Sequence, residues 1–162
     1  MDNMVMIEGE KQYLTFLLKD ELFGLEVSPI KEIIEYFSVT KVPMMSDFVL
    51  GVINVRGDVL PVIDLSARID LGENIRSKKT CIVIVEIDDA GKKMNIGIII
   101  DAINQVIAMP NKNLESTPEF GSKVDKRFIK NMMRIENKFI EILNLDTILM
   151  LDELSTLRDS NN

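Results

Sequence analysis

The feature that most constrains this chain is a repeat. The segment Phe23-Gly24-Leu25-Glu26-Val27-Ser28-Pro29-Ile30-Lys31-Glu32-Ile33-Ile34 shares its apolar pattern with Ile96-Gly97-Ile98-Ile99-Ile100-Asp101-Ala102-Ile103-Asn104-Gln105-Val106-Ile107, 73 residues later. Val55-Arg56-Gly57-Asp58-Val59-Leu60-Pro61-Val62-Ile63-Asp64-Leu65 is matched in the same way by Ile135-Glu136-Asn137-Lys138-Phe139-Ile140-Glu141-Ile142-Leu143-Asn144-Leu145, 80 residues later. In the second pair a turn falls at the same place. Two matches in the same order point to two like-folded halves. Neither half is large enough to bury much surface alone, so the halves are expected to pack on each other.

The halves read as strands. β-Branched runs broken by turn residues mark candidate strands at 12–19, 22–27, 48–55, 59–64, 80–87, 94–100, 104–109, 129–135 and 139–145. Lys19-Asp20-Glu21, Arg56-Gly57-Asp58, Asp88 through Lys93, and Glu136-Asn137-Lys138 carry hairpin-turn chemistry. Ser28-Pro29 has the form of an N-cap followed by a first-turn proline, which predicts a short helix over 28–34. Apolar residues at Ile148, Leu149, Leu151, Leu154 and Leu157 predict a C-terminal helix capped by Asp146. Short strands joined by tight turns suggest barrels or a sandwich, with 66–79 as the crossover and a partner groove between the halves.

Composition removes several classes of function. A net charge of −7 disfavours nucleic acid and an anionic membrane surface. With no histidine, the commonest general base and metal ligand is missing, and a single cysteine, Cys81, makes neither an internal disulfide nor a zinc site. Cys81 reads as a small strand hydrophobe. The glycines are dispersed and form no phosphate loop. A metal-dependent enzyme built on Asp58, Asp64 or Asp101 is the competing reading, but those residues lack ligand spacing. The expectation is a non-catalytic protein without cofactor or metal. The start lacks a basic region ahead of a long apolar stretch, and the apolar runs are strand-sized, so a cytoplasmic location is expected.

The stretch Gly51-Val52-Ile53-Asn54-Val55-Arg56-Gly57-Asp58-Val59-Leu60-Pro61-Val62-Ile63-Asp64-Leu65 resembles the signature hairpin of the CheW domain. Phe23 to Val27, Ile30 to Ile33 and Val42-Pro43 resemble the same family in the same order, as do Ile96 to Asp101 and Val106. The likeness runs over about 12–154. It implies an all-β fold of two small, intertwined, five-stranded β-barrels around a shared apolar core. The first barrel would take 12–65 plus a terminal segment and the second 78–145, leaving 1–11 and 155–162 as flexible ends. It also implies a chemotaxis adaptor at receptor arrays. Its partners would be the cytoplasmic tip of chemoreceptors, the regulatory domain of the histidine kinase CheA, and other CheW-like domains. The alternative is a free regulatory module akin to CheV or to the CheA regulatory domain.

The resemblance also assigns residues. The family's polar pair near the receptor groove maps onto Arg56 and Glu32. Val27, Ile30, Gly51, Ile98 and Ile100 match positions that line that groove. Ile98 and Ile100 share one strand face and Ile99 the other, and one of those faces must be core. For the kinase, the family uses an edge of each barrel, which points to Val39 and Val42. In the second half Glu119 and Phe120, in the polar loop after Pro118, are the counterpart.

Overall fold

The structure, a computed structural model, describes residues 9–42, 46–118 and 121–150. Eleven strands run in chain order as β1 (Glu10–Leu18), β2 (Glu21–Glu26), β3 (Ile30–Glu35), β4 (Val49–Val55), β5 (Asp58–Asp64), β6 (Cys81–Asp89), β7 (Lys92–Ile100), β8 (Ala102–Pro110), β9 (Leu114–Glu115), β10 (Ile129–Ile135) and β11 (Lys138–Leu143). Two single-turn helices, α1 (Leu65–Arg68) and α2 (Leu145–Ile148), follow β5 and β11. Two-residue loops join β1–β2, β4–β5, β6–β7 and β10–β11. Lys19, Asp20, Arg56, Gly57, Ala90, Gly91 and Glu136 there have positive φ, the geometry that matches strand twist.

The strands form two sheets, β8-β1-β2-β11-β10-β9 and β3-β6-β7-β5-β4. Each closes on itself. β9 follows β8 after one 3-10 turn (Asn111–Asn113) and pairs with β10, joining the two ends of the larger sheet. In the smaller sheet the chain leaves β3 and pairs Thr40 with Val52 on β4.

The expected allotment of 12–65 plus a terminal segment to one barrel and 78–145 to the other differs from the observed strand order. Each half lends its first hairpin to the other half's barrel: β1–β2 joins β8–β11, and β6–β7 joins β3–β5. Two parallel seams make the exchange reciprocal, β11 on β2 and β5 on β7. At those seams Ile142 lies opposite Gly24 and Val62 opposite Gly97. Both glycines are needed for closeness rather than for backbone freedom. A Cβ on Gly24 would lie 2.8 Å from Ile142 Cδ1, and one on Gly97 2.9 Å from Ile82 Cγ2.

Three apolar clusters follow. Ile53, Leu60, Val62, Ile82, Ile84 and Ile99 fill the smaller barrel. Tyr13, Met109, Met133, Ile140 and Ile142 fill the larger. The largest cluster lies between the barrels and draws Leu14, Phe16, Val83, Val85, Ile98, Ile100 and others from both. β6 and β7 are therefore buried on both faces, which is why their sequences are unbroken apolar runs rather than alternating ones.

Two helix expectations are corrected. Residues 28–34 are not a helix: Ile30–Glu35 is strand β3, paired with β6. Ile30, Ile33 and Ile34 have helical spacing, but β-branched side chains and a waiting strand edge override it. The tail turns at Leu145–Ile148, capped by Asn144 Oδ1, which accepts from the Thr147 N–H at 3.3 Å, rather than by Asp146. The remainder of the expected helix lies outside the described residues. Glu10 and Lys11, expected in a flexible end, begin β1.

Candidate functional site

The β4–β5 hairpin carries the site. Arg56 occupies the left-handed first turn position (φ 53°) and Gly57 the second (φ 90°). β3 runs from the inter-barrel turn toward the same surface and offers Glu32. The two side chains meet as a bidentate ion pair: Arg56 Nη1 donates to Glu32 Oε1 at 2.9 Å, and Nη2 donates to Oε2. The hydrogen bond from Arg56 holds the Glu32 carboxyl below the usual carboxylate range, and Asp58 adds a second negative field at Arg56. The arginine side chain is 72% exposed, so the pair faces solvent. A guanidinium held in this way is planar and fixed in direction, with its charge at the surface.

Around the pair, the sequence-derived site divides. Val27 and Ile30 are half-buried, pack against the central cluster, and flank the turn that carries the chain from one barrel to the other. Ile98 and Ile100 are fully buried in that cluster, and Ile99 is buried in the smaller barrel. Both faces of β7 are therefore core, and neither Ile98 nor Ile100 lines a groove. Gly51 is buried as well. Its φ is 150°, and a Cβ there would lie 1.9 Å from the Thr40 carbonyl oxygen, so this glycine permits barrel closure. Val39 packs inward on the smaller barrel's core. Val42 is half-buried in a cleft with Tyr36, Asp47, Leu50 and Arg76. Glu119 and Phe120 lie outside the described residues.

A second cleft runs between the barrels, lined by Glu26, Ser28, Pro29, Glu86, Lys130 and Asn144 among others. Its two glutamates are paired with lysines. Glu26 accepts from Lys130 at 2.6 Å and Lys11 at 3.3 Å, while Glu86 lies 3.3 Å from Lys31 and 3.8 Å from Lys93. Burial alone would raise the Glu26 carboxyl, but the two lysines outweigh it and lower it.

Two of the three carboxylates of the competing metal reading, Asp64 and Asp101, are committed elsewhere. Asp64 is buried and accepts from the Ser66 hydroxyl and the N–H groups of Ala67 and Asn74, which makes it the cap of α1. Asp101 accepts from the Lys19 N–H at 2.7 Å and from the Asn74 side chain. Among the described residues no three His, Cys, Asp or Glu side chains come together as a metal site. Burial pushes the Cys81 thiol up, and Glu35 adds to the effect, so its thiolate is disfavoured. Sequence reasoning missed Asn54, whose Oδ1 accepts from the Gly57 N–H at 2.9 Å. An Asn three residues before a turn glycine was the signal available for it.

The two interlocked barrels and the solvent-facing ion pair on one hairpin define the class of fold. Comparison with known proteins names it. The CheW-like domain family matches residues 12–153, and the chain belongs to that family. It is 32% identical to the chemotaxis protein CheW of Bacillus subtilis, over 87% of each chain. The crystal structure of the scaffolding protein TtCheW from Thermoanaerobacter tengcongensis superposes with a TM-score of 0.77 at 34% identity, covering 88% of this chain and 94% of that one. The chemotaxis protein CheV3 of Helicobacter pylori is 26% identical, but the match spans only 44% of it. This is therefore a chemotaxis scaffold of the CheW type, and none of its described helices is long and apolar enough to cross a membrane.

Proposed function

We propose that the chain is a non-catalytic adaptor that couples chemoreceptors to the histidine kinase CheA in cytoplasmic signalling arrays. The observation that carries this reading is the Glu32–Arg56 pair, held bidentate on an exposed hairpin of a CheW-type scaffold. The receptor tip docks on the face formed by that pair, with Val27 and Ile30 beside it. The kinase regulatory domain docks on the smaller barrel near Val42 and, in the second half of the chain, at Glu119 and Phe120. The scaffold family, the absence of histidine and the commitment of Asp64 and Asp101 to structural hydrogen bonds support a role without catalysis.

Co-sedimentation with receptor-bearing membranes and purified kinase tests both docking faces together. Wild-type protein should pellet with receptor and carry kinase with it. Arg56→Ala should lower receptor binding several-fold or more while kinase binding and melting temperature stay near wild type, because exposed pairs contribute little to folding. Undiminished receptor binding by Arg56→Ala would remove the pair from the interface. Kinase binding by wild type without receptor binding would instead favour a free regulatory module.

A further inference from the structure

We propose that Asn54 is a positioning residue for the Glu32–Arg56 pair, holding the hairpin tip in the one geometry that turns Arg56 toward Glu32. The inference rests on the receptor-docking reading only for its consequence, not for its geometry. Arg56 is a non-glycine residue in the left-handed region at φ 53°, a conformation that Asn, Asp and Gly adopt far more readily. Asn54 Oδ1 accepts from the Gly57 N–H at 2.9 Å, bridging the strand end to the turn.

The same bond recurs at a turn whose left-handed residue is an alanine, which can form no ion pair. In the β6–β7 hairpin Ala90 is left-handed at φ 52°, Gly91 follows at φ 86°, and the Gly91 N–H donates to Asp88 Oδ1 at 2.9 Å. Residue for residue, Asp88-Asp89-Ala90-Gly91 repeats the spacing of Asn54-Val55-Arg56-Gly57. That hairpin shows what the bond does by itself: it fixes the turn. At 54 the acceptor is a neutral amide rather than a carboxylate. A carboxylate beside Arg56 would compete with Glu32 for the guanidinium, where Asp58 already draws on it.

The twin hairpins supply the control. Asn54→Ala and Asp88→Ala each remove one turn hydrogen bond of the same length, so both should cost a similar, small drop in melting temperature. Only Asn54→Ala should loosen the pair. Its readout is the side-chain carboxyl titration of Glu32 followed by NMR, which needs no partner. In Asn54→Ala the Glu32 midpoint should move up toward the ordinary glutamate value, in the direction of the shift produced by Arg56→Ala. In Asp88→Ala it should stay at the wild-type position. Receptor co-sedimentation should weaken several-fold for Asn54→Ala and not for Asp88→Ala. A Glu32 midpoint that stays put in Asn54→Ala overturns the proposal, whatever the receptor does. A midpoint that moves while receptor binding is unchanged supports the positioning role and removes the pair from the receptor interface instead.

Discussion

α1 and α2 stand at matching points of the two halves, each one turn long, each directly after the last strand of its half. Asp64 caps the first and Asn144 the second, each through Oδ1 to the backbone N–H three residues on. The offset of 80 residues that relates these caps also relates Arg68 to Ile148, and these two counterparts touch. Arg68 Nε donates to the Ile148 carbonyl at 2.8 Å, so the first half's side chain satisfies the end of the second half's helix. The guanidinium lies 4.8 Å from the Phe48 ring and 4.9 Å from that of Phe128, one ring from each half. The duplicated frame is thus kept where both halves need it and made unlike where the halves meet.

The bulges teach the same lesson. A register shift falls between Val49 and Gly51 on β4 and again between Ile129 and Asn131 on β10. The bulge is repeated, yet the glycine is not. In the smaller barrel the closing segment crosses directly over residue 51, while in the larger one β9 closes on β10 by ordinary pairing. The hairpin tips differ too: Arg56 has Glu136 as its counterpart, and Glu32 has Gln105, so only the first half can form the ion pair.

The largest effect should come from erasing the difference at the bulge. Gly51→Ala places a methyl on the Thr40 carbonyl and forces a left-handed residue, so it should cost about 3–4 kcal/mol. At 2–4 °C per kcal/mol that is a melting temperature lower by roughly 10 °C. Asn131→Ala, at the matching bulge, should lower it far less. Equal losses would mean that closure is not what Gly51 serves.

Next is the contact between counterparts. Arg68→Ala should cost about 2–3 kcal/mol by stripping the Ile148 carbonyl of its donor and emptying the slot between two rings. Arg68→Met keeps the stem in that slot and should recover about half of the loss in thermal unfolding. If Arg68→Met melts with wild type, the hydrogen bond to α2 contributes nothing.

The twin glycines should then differ by a smaller margin. Gly24→Ala meets the far end of Ile142, which can swing away, whereas Gly97→Ala meets Ile82 Cγ2, fixed on the branch of a stiff side chain. Gly97→Ala should therefore cost about 1–2 kcal/mol and Gly24→Ala under about 1 kcal/mol, read from denaturant midpoints. The reverse order would show that the larger barrel is the tighter one.

Much of this was legible in the residues. The repeat, nine of the strands, four hairpin turns and the Glu32–Arg56 pair are written in local patterns and in family likeness. The repeat even held the correction to the helix expected at 28–34, because its counterpart around 103–107 already read as a strand. What the sequence hides is long-range. Nothing local says that β1–β2 pairs with β11 rather than β4, that both faces of Ile98–Ile100 are covered, or that Thr40 lies on Gly51. Those facts belong to the exchange of hairpins between barrels, which periodicity along one strand does not encode.

The smallest expected effect separates two half-buried glutamates of the larger barrel, Glu26 on β2 and Glu141 on β11. Two lysines lower Glu26, as described above. Among the described residues no such cation is paired with Glu141. Burial raises its carboxyl, the nearby Glu21 raises it further, and the hydrogen bond from the Ser122 hydroxyl only partly opposes them. The signs then follow from linkage. A lowered carboxyl such as Glu26 contributes stability that is present above its unfolded-state value and is lost as pH falls through its lower folded value. A raised one such as Glu141 binds its proton more tightly when folded, so its ionised form costs stability at neutral pH, and that cost disappears as pH falls below its unfolded-state value. Glu141→Gln should therefore raise the melting temperature slightly at pH 7 and not at pH 3.5, while Glu26→Gln should lower it at pH 7 by more than at pH 3.5. Melting curves of both variants at the two pH values test this. A Glu141→Gln variant less stable than wild type at pH 7 would show that the ionised carboxylate, held by Ser122, contributes to the fold after all.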